Sequence, residues 1–142
     1  MSATFIYLAS QSPRRRQLLD QIGVRHELLL AGPDEDAEAL EAVLPGELPH
    51  DYVRRVTQAK LDAAVARLAR RGLPAAPVLC ADPTVALGRG ILGKPADDAD
   101  AAATLAALSG HSHRVLTAVA VAAGGASQLR VSESHVRFRV ID

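Results

Sequence analysis

The sequence predicts a mixed α/β fold, in which a twisted sheet is flanked by helices. Short apolar runs alternate with amphipathic stretches of helical period over residues 5–110, which is typical of strands and helices that alternate along a chain. Residues 113–142 instead contain two long β-forming runs joined at a Gly-Gly pair, which indicates an antiparallel hairpin. The length of 142 residues fits a single domain over residues 1–142.

The first elements follow from local signals near the N-terminus. Residues 5–9 are apolar and predict a short buried strand. Ser12 is a suitable N-cap for the next helix, Pro13 suits its first position, and Gly23 suits its end. A second strand is predicted over residues 26–30.

A long helix and a third strand are predicted next. Residues 31–49 are acidic and contain Pro and Gly, so we expect a loop there. The helix is predicted over 51–71, with an apolar stripe at helical spacing. That stripe comprises Val53, Val56, Ala63, Ala64 and Leu68. Residues 77–81 predict a strand that ends at Asp82.

The remaining elements are a hairpin, a helix and the closing strands. A hairpin is predicted around Gly88, and an Ala-rich helix from Asp97 to Leu108 that stops at Gly110. Residues 113–123 predict a long strand, and residues 129–141 predict its partner. In this last strand apolar and polar residues alternate, so one face should be packed and the other wet. The apolar members are Val136, Phe138 and Val140, and the polar members are His135, Arg137 and Arg139.

Composition argues against several classes of protein. The formal net charge is zero, so we expect no nucleic-acid partner and no binding to an anionic membrane, both of which favour a basic face. No apolar run approaches the roughly 18 residues of a membrane span. The N-terminus lacks the pattern of a secretory signal, so a cytoplasmic protein is expected. The single cysteine, Cys80, argues against an intrachain disulfide.

The junction between the first strand and first helix is a candidate anion site. It carries Ser10, Ser12, Arg14 and Arg15. Free backbone N–H groups and the helix dipole favour anions at a helix N-terminus, and guanidinium groups make bidentate contacts with phosphate. An ordinary N-cap followed by solvated arginines explains the same residues equally well.

Two scarce lysines and one aspartate are further candidates. The chain has fourteen Arg and only two Lys, Lys60 and Lys94. Lys60 lies on the apolar stripe of its helix, so it must extend to solvent, pair with an acid or point into a pocket. Asp82 follows an apolar strand and could bind a metal or activate water, or simply open a turn before Pro83. Lys94 lies in a Gly-Lys-Pro turn that could contact phosphate.

Together these groups suit a polyphosphate with a divalent cation. An acidic run could contribute one metal ligand, although most of its members are expected to be solvated. The run comprises Asp34, Glu35, Asp36, Glu38 and Glu41. The chain contains no Walker A motif and no G-x-G-x-x-G motif, so neither a P-loop nor a Rossmann pocket is predicted.

With these motifs the chain resembles the Maf family of nucleoside triphosphate pyrophosphatases, also called septum formation inhibitor-like proteins. Five segments carry the resemblance in family order and cover nearly the whole chain. They are LASQSPRRRQLL, GELPHDYVRRVTQAK, VLCADPTVALGRGILGKP, LSGHSHRVLTAVAVA and VRFR. The front motif and the LSG segment are more similar to the dTTP/UTP branch than to the 7-methyl-GTP branch.

The resemblance implies a Maf/ITPase-like fold and hydrolysis of nucleoside triphosphates to monophosphate and pyrophosphate, with Mg²⁺ or Mn²⁺. It implies that Asp82 is the catalytic aspartate, acting as general base or metal ligand. The spacing from Glu47 matches the family's front-loop glutamate to Glu41 as a second metal ligand, with Glu35 and Glu38 as alternative registers. The implied phosphate ligands are Ser10, Ser12, Arg14, Arg15, Lys60 and Lys94.

Two departures from the family pattern bear on function. Pro83 stands where many members have Thr after the aspartate, with Thr84 next, so the resemblance leaves the preferred base open. Family members continue for about another third of their length, so the domain is expected to be truncated at its C-terminus. The alternative is therefore a catalytically inactive relative that binds nucleotide or a protein partner. Analogy with the family also suggests a homodimer.

Overall fold

The computed structural model describes residues 5–92, 97–137 and 139–140. Within these ranges the chain forms strands, α-helices and one short 3₁₀ helix. The strands are β1 (Ile6–Leu8), β2 (His26–Leu28), β3 (Val78–Leu87), β4 (Gly90–Leu92), β5 (Ser112–Ala123) and β6 (Ala126–Arg137). The helices are α1 (Pro13–Gln21), α2 (Pro49–Arg70) and α3 (Asp98–Leu108), and the 3₁₀ helix is Glu38–Glu41.

The described strands form one mixed sheet in the order β2-β1-β3-β5-β6, with β4 paired to β3. β1 is parallel to both β2 and β3, whereas the β3–β4, β3–β5 and β5–β6 pairs are antiparallel. The parallel half comes from the strand–helix alternation of the N-terminal region, and the antiparallel half from the two hairpins. The predicted mixed α/β class is therefore confirmed.

The core lies between α2 and the centre of the sheet. Leu61 and Ala64 of α2 pack with Val78 and Cys80 of β3, and all four are buried. A second cluster lies nearer the start of α2, where Val53 packs against residues of β3 and β5. Burial of each large side chain contributes about 1.5–3 kcal/mol, so this contact fixes α2, and every side chain it carries, against β3.

One prediction about β3 was wrong. The strand does not end at Asp82 but continues through Pro83 to Leu87. The carbonyl groups of Pro77, just before β3, and of Leu79 accept hydrogen bonds from the N–H groups of Tyr7 and Ala9 at 2.8 and 3.0 Å. Odd-numbered residues of β3 therefore direct their backbone groups to the side of β1. Pro83 belongs to this set.

The sheet is open where Pro83 lies. On that side β1 pairs with β3 only as far as Leu79, and β4 pairs from Val85 onward. On that side no described strand lies opposite Pro83, although Thr117 of β5 lies opposite it on the other side. Its missing N–H therefore removes no ladder hydrogen bond. Asp82 therefore lies within β3, just beyond the point where β1 ends and the chain turns into the Ser10 loop.

Several local predictions need smaller corrections. Ser12 occupies the N-cap position of α1 but its side chain makes no capping hydrogen bond. The acidic loop contains the 3₁₀ helix Glu38–Glu41. At the end of the chain Val140 is 76% exposed, so the packed face predicted there does not extend to it; Phe138 lies outside the described residues. The helices within the described ranges include none that is long and apolar enough to cross a membrane.

Candidate active site

A lysine bridges two carboxylates beside the opening in the sheet. The Nζ atom of Lys60 donates to Asp82 Oδ1 at 2.7 Å and to Glu41 Oε1 at 2.7 Å. The three side chains come from the middle of α2, from β3 and from the end of the 3₁₀ helix. Lys60 and Asp82 are 21% and 17% exposed. Of the three possibilities for Lys60, the structure shows pairing with acids at the wall of a cavity.

The protonation of Lys60 and the unpartnered oxygen of Asp82 favour a further ligand at the Lys60 cluster. Burial alone would lower the pKa of Lys60, but its hydrogen bonds to Asp82 and Glu41 outweigh burial and raise that pKa. Lys60 is therefore cationic at neutral pH. The second carboxylate oxygen of Asp82, Oδ2, is buried and accepts no hydrogen bond from any described residue. A buried acceptor without a partner costs about 1–3 kcal/mol, so this atom favours a cation or a donor from a ligand.

A cavity of 480 Å³ opens from this cluster towards the front motif, and we call it the polar cavity. Ser10 and Gln11 line it from the turn between β1 and α1, and Arg15 lines it from the first turn of α1. The Nη1 atom of Arg15 donates to Ser10 Oγ at 3.2 Å. Because β1 and β3 are adjacent, the end of β1 brings these donors alongside Asp82. The polar cavity thus combines hydroxyl and guanidinium groups with the carboxylates.

A partly buried ion pair lies at another wall of the polar cavity. The guanidinium of Arg67 donates to both carboxylate oxygens of Glu35 at 2.8 and 2.7 Å, and to the Leu29 carbonyl at 2.8 Å. These hydrogen bonds from Arg67 overcome the effect of burial and lower the pKa of Glu35 to about 2. Glu35 also accepts a hydrogen bond from the backbone N–H of Gly32 at 3.3 Å. The pair ties the loop after β2 to α2.

A second cavity, of 410 Å³, lies on the other side of the Lys60 cluster, and we call it the apolar cavity. It shares Glu41, Lys60 and Asp82 with the polar cavity. Its remaining described walls carry no charged group. They are Tyr52, Val56, Pro83, Thr84, Val85, Ile91, Leu92, Thr104 and Leu108. A third cavity, near the β5–β6 turn, is lined by none of the predicted site residues that the structure describes.

The structure brings most of the predicted site residues together. Ser10, Arg15, Lys60, Asp82 and Glu41 all line the polar cavity. The other two residues of the front motif do not: Arg14 is exposed and Ser12 is half-buried outside the lining. Lys94 lies outside the described residues.

Arg67 was not predicted as a site residue, and Glu35 was predicted only as an alternative register for the metal-ligand glutamate. Arg67 lies seven residues after Lys60 on α2, which is two helical turns and therefore the same face. A second basic residue on a buried stripe was the available signal, because such a residue needs an acidic partner. Its partner is 32 positions away, a distance that no local pattern reveals.

In the described part of the chain the candidate metal centre comprises two carboxylates, those of Glu41 and Asp82. Among the described residues no group of three or more His, Cys, Asp or Glu side chains is placed to hold a metal ion. Glu41 and Asp82 lie within 2.7 Å of one shared ammonium. Mg²⁺ commonly takes one or two protein carboxylates and completes its shell with water and substrate phosphates. The residues present therefore fit an ion that arrives with a polyphosphate.

Comparisons with known proteins agree with one another. Residues 5–142 match the model of a family described as Maf-like protein. Proteins named dTTP/UTP pyrophosphatase are similar over most of this chain. That of Albidiferax ferrireducens is 67% identical over 94% of this chain and 67% of its own length. That of Cupriavidus metallidurans is 64% identical, over 97% and 69%.

A third relative and one solved structure are also similar to this chain. The dTTP/UTP pyrophosphatase of Burkholderia pseudomallei is 65% identical over 96% of this chain and 66% of its own length. The chain thus spans about two thirds of the length of these relatives. A solved structure, of the Staphylococcus aureus Ham1 protein, has a TM-score of 0.49 and 14% identity, over 92% of this chain and 69% of that chain.

Proposed function

Since the chain belongs to the Maf-like family, we propose that it is a nucleoside triphosphate pyrophosphatase that hydrolyses dTTP and UTP to the monophosphate and pyrophosphate. The names of its relatives support this substrate class. The observation that carries the proposal is the Lys60 bridge, which holds Asp82 and Glu41 at 2.7 Å each beside a cavity lined by Ser10 and Arg15. Such an arrangement suits a polyphosphate accompanied by a divalent cation.

In this proposal the polar cavity binds the phosphates. The guanidinium of Arg15 and the hydroxyl of Ser10 would donate to phosphate oxygens, as charge-assisted and neutral hydrogen bonds respectively. Ser12, Arg14 and Lys94 are proposed as additional phosphate ligands, with the family motif as their only support. Lys60 would offset the negative charge that develops on the pyrophosphate leaving group.

Asp82 would act on the attacking water. Its Oδ1 atom is held by Lys60 at 2.7 Å, and its buried Oδ2 atom is unpartnered among the described residues. Asp82 would orient the water and accept its proton. At the same time the water oxygen would bond to the α-phosphorus, and the bond from that phosphorus to the oxygen bridging to the β-phosphorus would break, which releases pyrophosphate. Glu41 and Asp82 would hold Mg²⁺ or Mn²⁺, which neutralises phosphate charge when bound.

The proposal is tested by pyrophosphate release from dTTP, UTP, CTP and 7-methyl-GTP, with and without Mg²⁺. We expect metal-dependent release that is fastest from dTTP and UTP. A folded, monodisperse sample that binds dTTP without releasing pyrophosphate would contradict the proposal and support a binding protein instead. Release that does not depend on a divalent metal would contradict the role given to Glu41 and Asp82.

A further inference from the structure

The two cavities that meet at the Lys60 cluster differ in chemistry. Apart from the shared cluster, the polar cavity carries four charged side chains, Arg15, Glu35, Asp36 and Arg67. The described walls that belong only to the apolar cavity carry none. A nucleoside triphosphate has the same division, with a charged polyphosphate at one end and a flat, weakly polar base at the other. The Lys60 cluster stands at the boundary, where the α-phosphate would lie.

We propose that the apolar cavity binds the nucleobase of the substrate and that Tyr52 and Ile91 contribute to its affinity, an inference that rests on the proposed function. Its volume of 410 Å³ falls in the range of roughly 300–1,000 Å³ found for small-molecule sites. Such sites are lined mainly by apolar side chains with a few polar groups that set orientation. Here the apolar walls come from Val56, Ile91 and Leu108 among others.

Tyr52 is the aromatic side chain among the described walls of this cavity, and contacts on two sides fix it. Its hydroxyl donates to the Glu41 carbonyl at 2.6 Å, and the guanidinium carbon of Arg55 lies 5.7 Å from the ring centroid. Arg55 is in turn held by Glu47 at 2.7 Å. A ring fixed in this way can stack on a base with little further loss of side-chain entropy.

Two threonines supply the polar groups of the apolar cavity. Thr84 follows Asp82 by two residues on β3 and is 5% exposed, and Thr104 enters from α3. A hydroxyl both donates and accepts, so either residue can meet the N–H or C=O edge of a pyrimidine. Because Thr84 and Asp82 are on the same face of β3, the base and the α-phosphate would lie side by side along this strand.

The experiment distinguishes binding of the base from binding of the phosphates. Equilibrium binding of α,β-imido-dUTP, which resists the proposed cleavage, is compared with that of inorganic tripolyphosphate, which has no base. Both are measured by calorimetry with Mg²⁺ on wild type, Ile91→Trp, Tyr52→Leu and the control Ile22→Trp. Ile22 is 72% exposed at the end of α1 and lines neither cavity. Circular dichroism checks that each variant is folded.

We expect wild type to bind the imido nucleotide more tightly than tripolyphosphate. Ile91→Trp should fill the cavity and weaken nucleotide binding by roughly tenfold or more, and Tyr52→Leu by roughly tenfold, the effect of one lost stacking contact. Tripolyphosphate binding should change less than about twofold in Ile91→Trp. The control should bind both ligands like wild type.

Two results would overturn this assignment. One is an affinity for the imido nucleotide that Ile91→Trp leaves unchanged, which would mean that the base makes no contact in this cavity. The other is a parallel loss of both ligands in a folded Ile91→Trp, which would place the phosphates in this cavity. The binding experiment does not require turnover. Absence of pyrophosphate release would therefore reject the proposed function, whereas the binding data would still show whether the apolar cavity holds the base.

Discussion

Replacing Arg67 by Met should destabilise the protein, because the ion pair with Glu35 holds the loop that walls the polar cavity. The substitution keeps a long side chain but removes the guanidinium. Glu35 would lose both hydrogen bonds from that group, and the Leu29 carbonyl would lose the third. Glu35 would then be a partly buried carboxylate with Arg70, 3.3 Å away, as its remaining cationic neighbour.

The magnitude follows from burial and from the number of bonds. Arg67 and Glu35 are 7% and 17% exposed, so solvent screens this pair far less than a surface pair. Removal of one partner from a buried pair costs about 3–5 kcal/mol. We take about 3 kcal/mol, the lower end of that range, since Arg70 and some solvent still reach Glu35.

The effect should depend on pH with a defined sign. The pKa of Glu35 is lowered from 4.5 to about 2, chiefly by the hydrogen bonds from Arg67. In this interval the unfolded chain binds the proton and the folded chain does not, so stability falls as pH decreases. The stabilisation by the pair is complete above pH 4.5 and is lost towards about pH 2. The difference between wild type and Arg67→Met should therefore shrink in acid.

Urea denaturation followed by circular dichroism, at neutral pH and near pH 3, measures both effects. Arg54→Met is the matched control, because Arg54 is exposed on the same helix, and it should change stability by less than about 0.5 kcal/mol. If the free energy of unfolding of Arg67→Met differs from that of wild type by less than about 0.5 kcal/mol, the role assigned to Arg67 is refuted. A difference from wild type that is unchanged near pH 3 would refute it as well.

Three further outcomes follow from the structure. Lys60→Met should lower kcat/KM for dTTP at least about a hundredfold, whereas the control Arg54→Met should remain near wild type. Normal activity of Lys60→Met would exclude charge stabilisation by Lys60. Cys80 is buried, and burial raises its pKa to about 11. Iodoacetamide should therefore label Cys80 only after denaturation. Rapid labelling of the folded protein, measured by mass spectrometry, would contradict this expectation. Gly88 has a φ of +61° in the β3–β4 turn, so Gly88→Ala should cost about 1–2 kcal/mol in urea denaturation, and unchanged stability would mean that the turn adopts another conformation.

The parts of the fold that local chemistry controls were predictable from the sequence. Pro13 begins α1, and Gly110, with a φ of +70°, follows the end of α3 as a stop signal requires. The spacing of Val53, Val56 and Ala64 predicted the buried face of α2. These signals act within one or two turns of chain, where propensity and periodicity are informative.

The parts that local patterns could not determine depend on distant contacts. Pro83 is tolerated within β3 because β1 ends and β4 begins on either side of it, and neither fact is visible near residue 83. Glu41 was chosen from an acidic run by family spacing, and the structure places it against Lys60. Glu35, from the same run, also reaches the polar cavity but is held by Arg67. Composition alone does not distinguish Glu41 from Glu35.

The most direct test is pyrophosphate release from dTTP by Asp82→Asn, with Asp62→Asn as its control. Asp62 is an exposed carboxylate on α2 that accepts a hydrogen bond from Gln58, outside both site cavities. Asn is close in size to Asp and can still accept from Lys60, so the fold should be retained. If Asp82 orients and deprotonates the attacking water, release should fall by about 10²–10⁴-fold while the control remains near wild type. Full release by a folded Asp82→Asn would contradict the proposed active site.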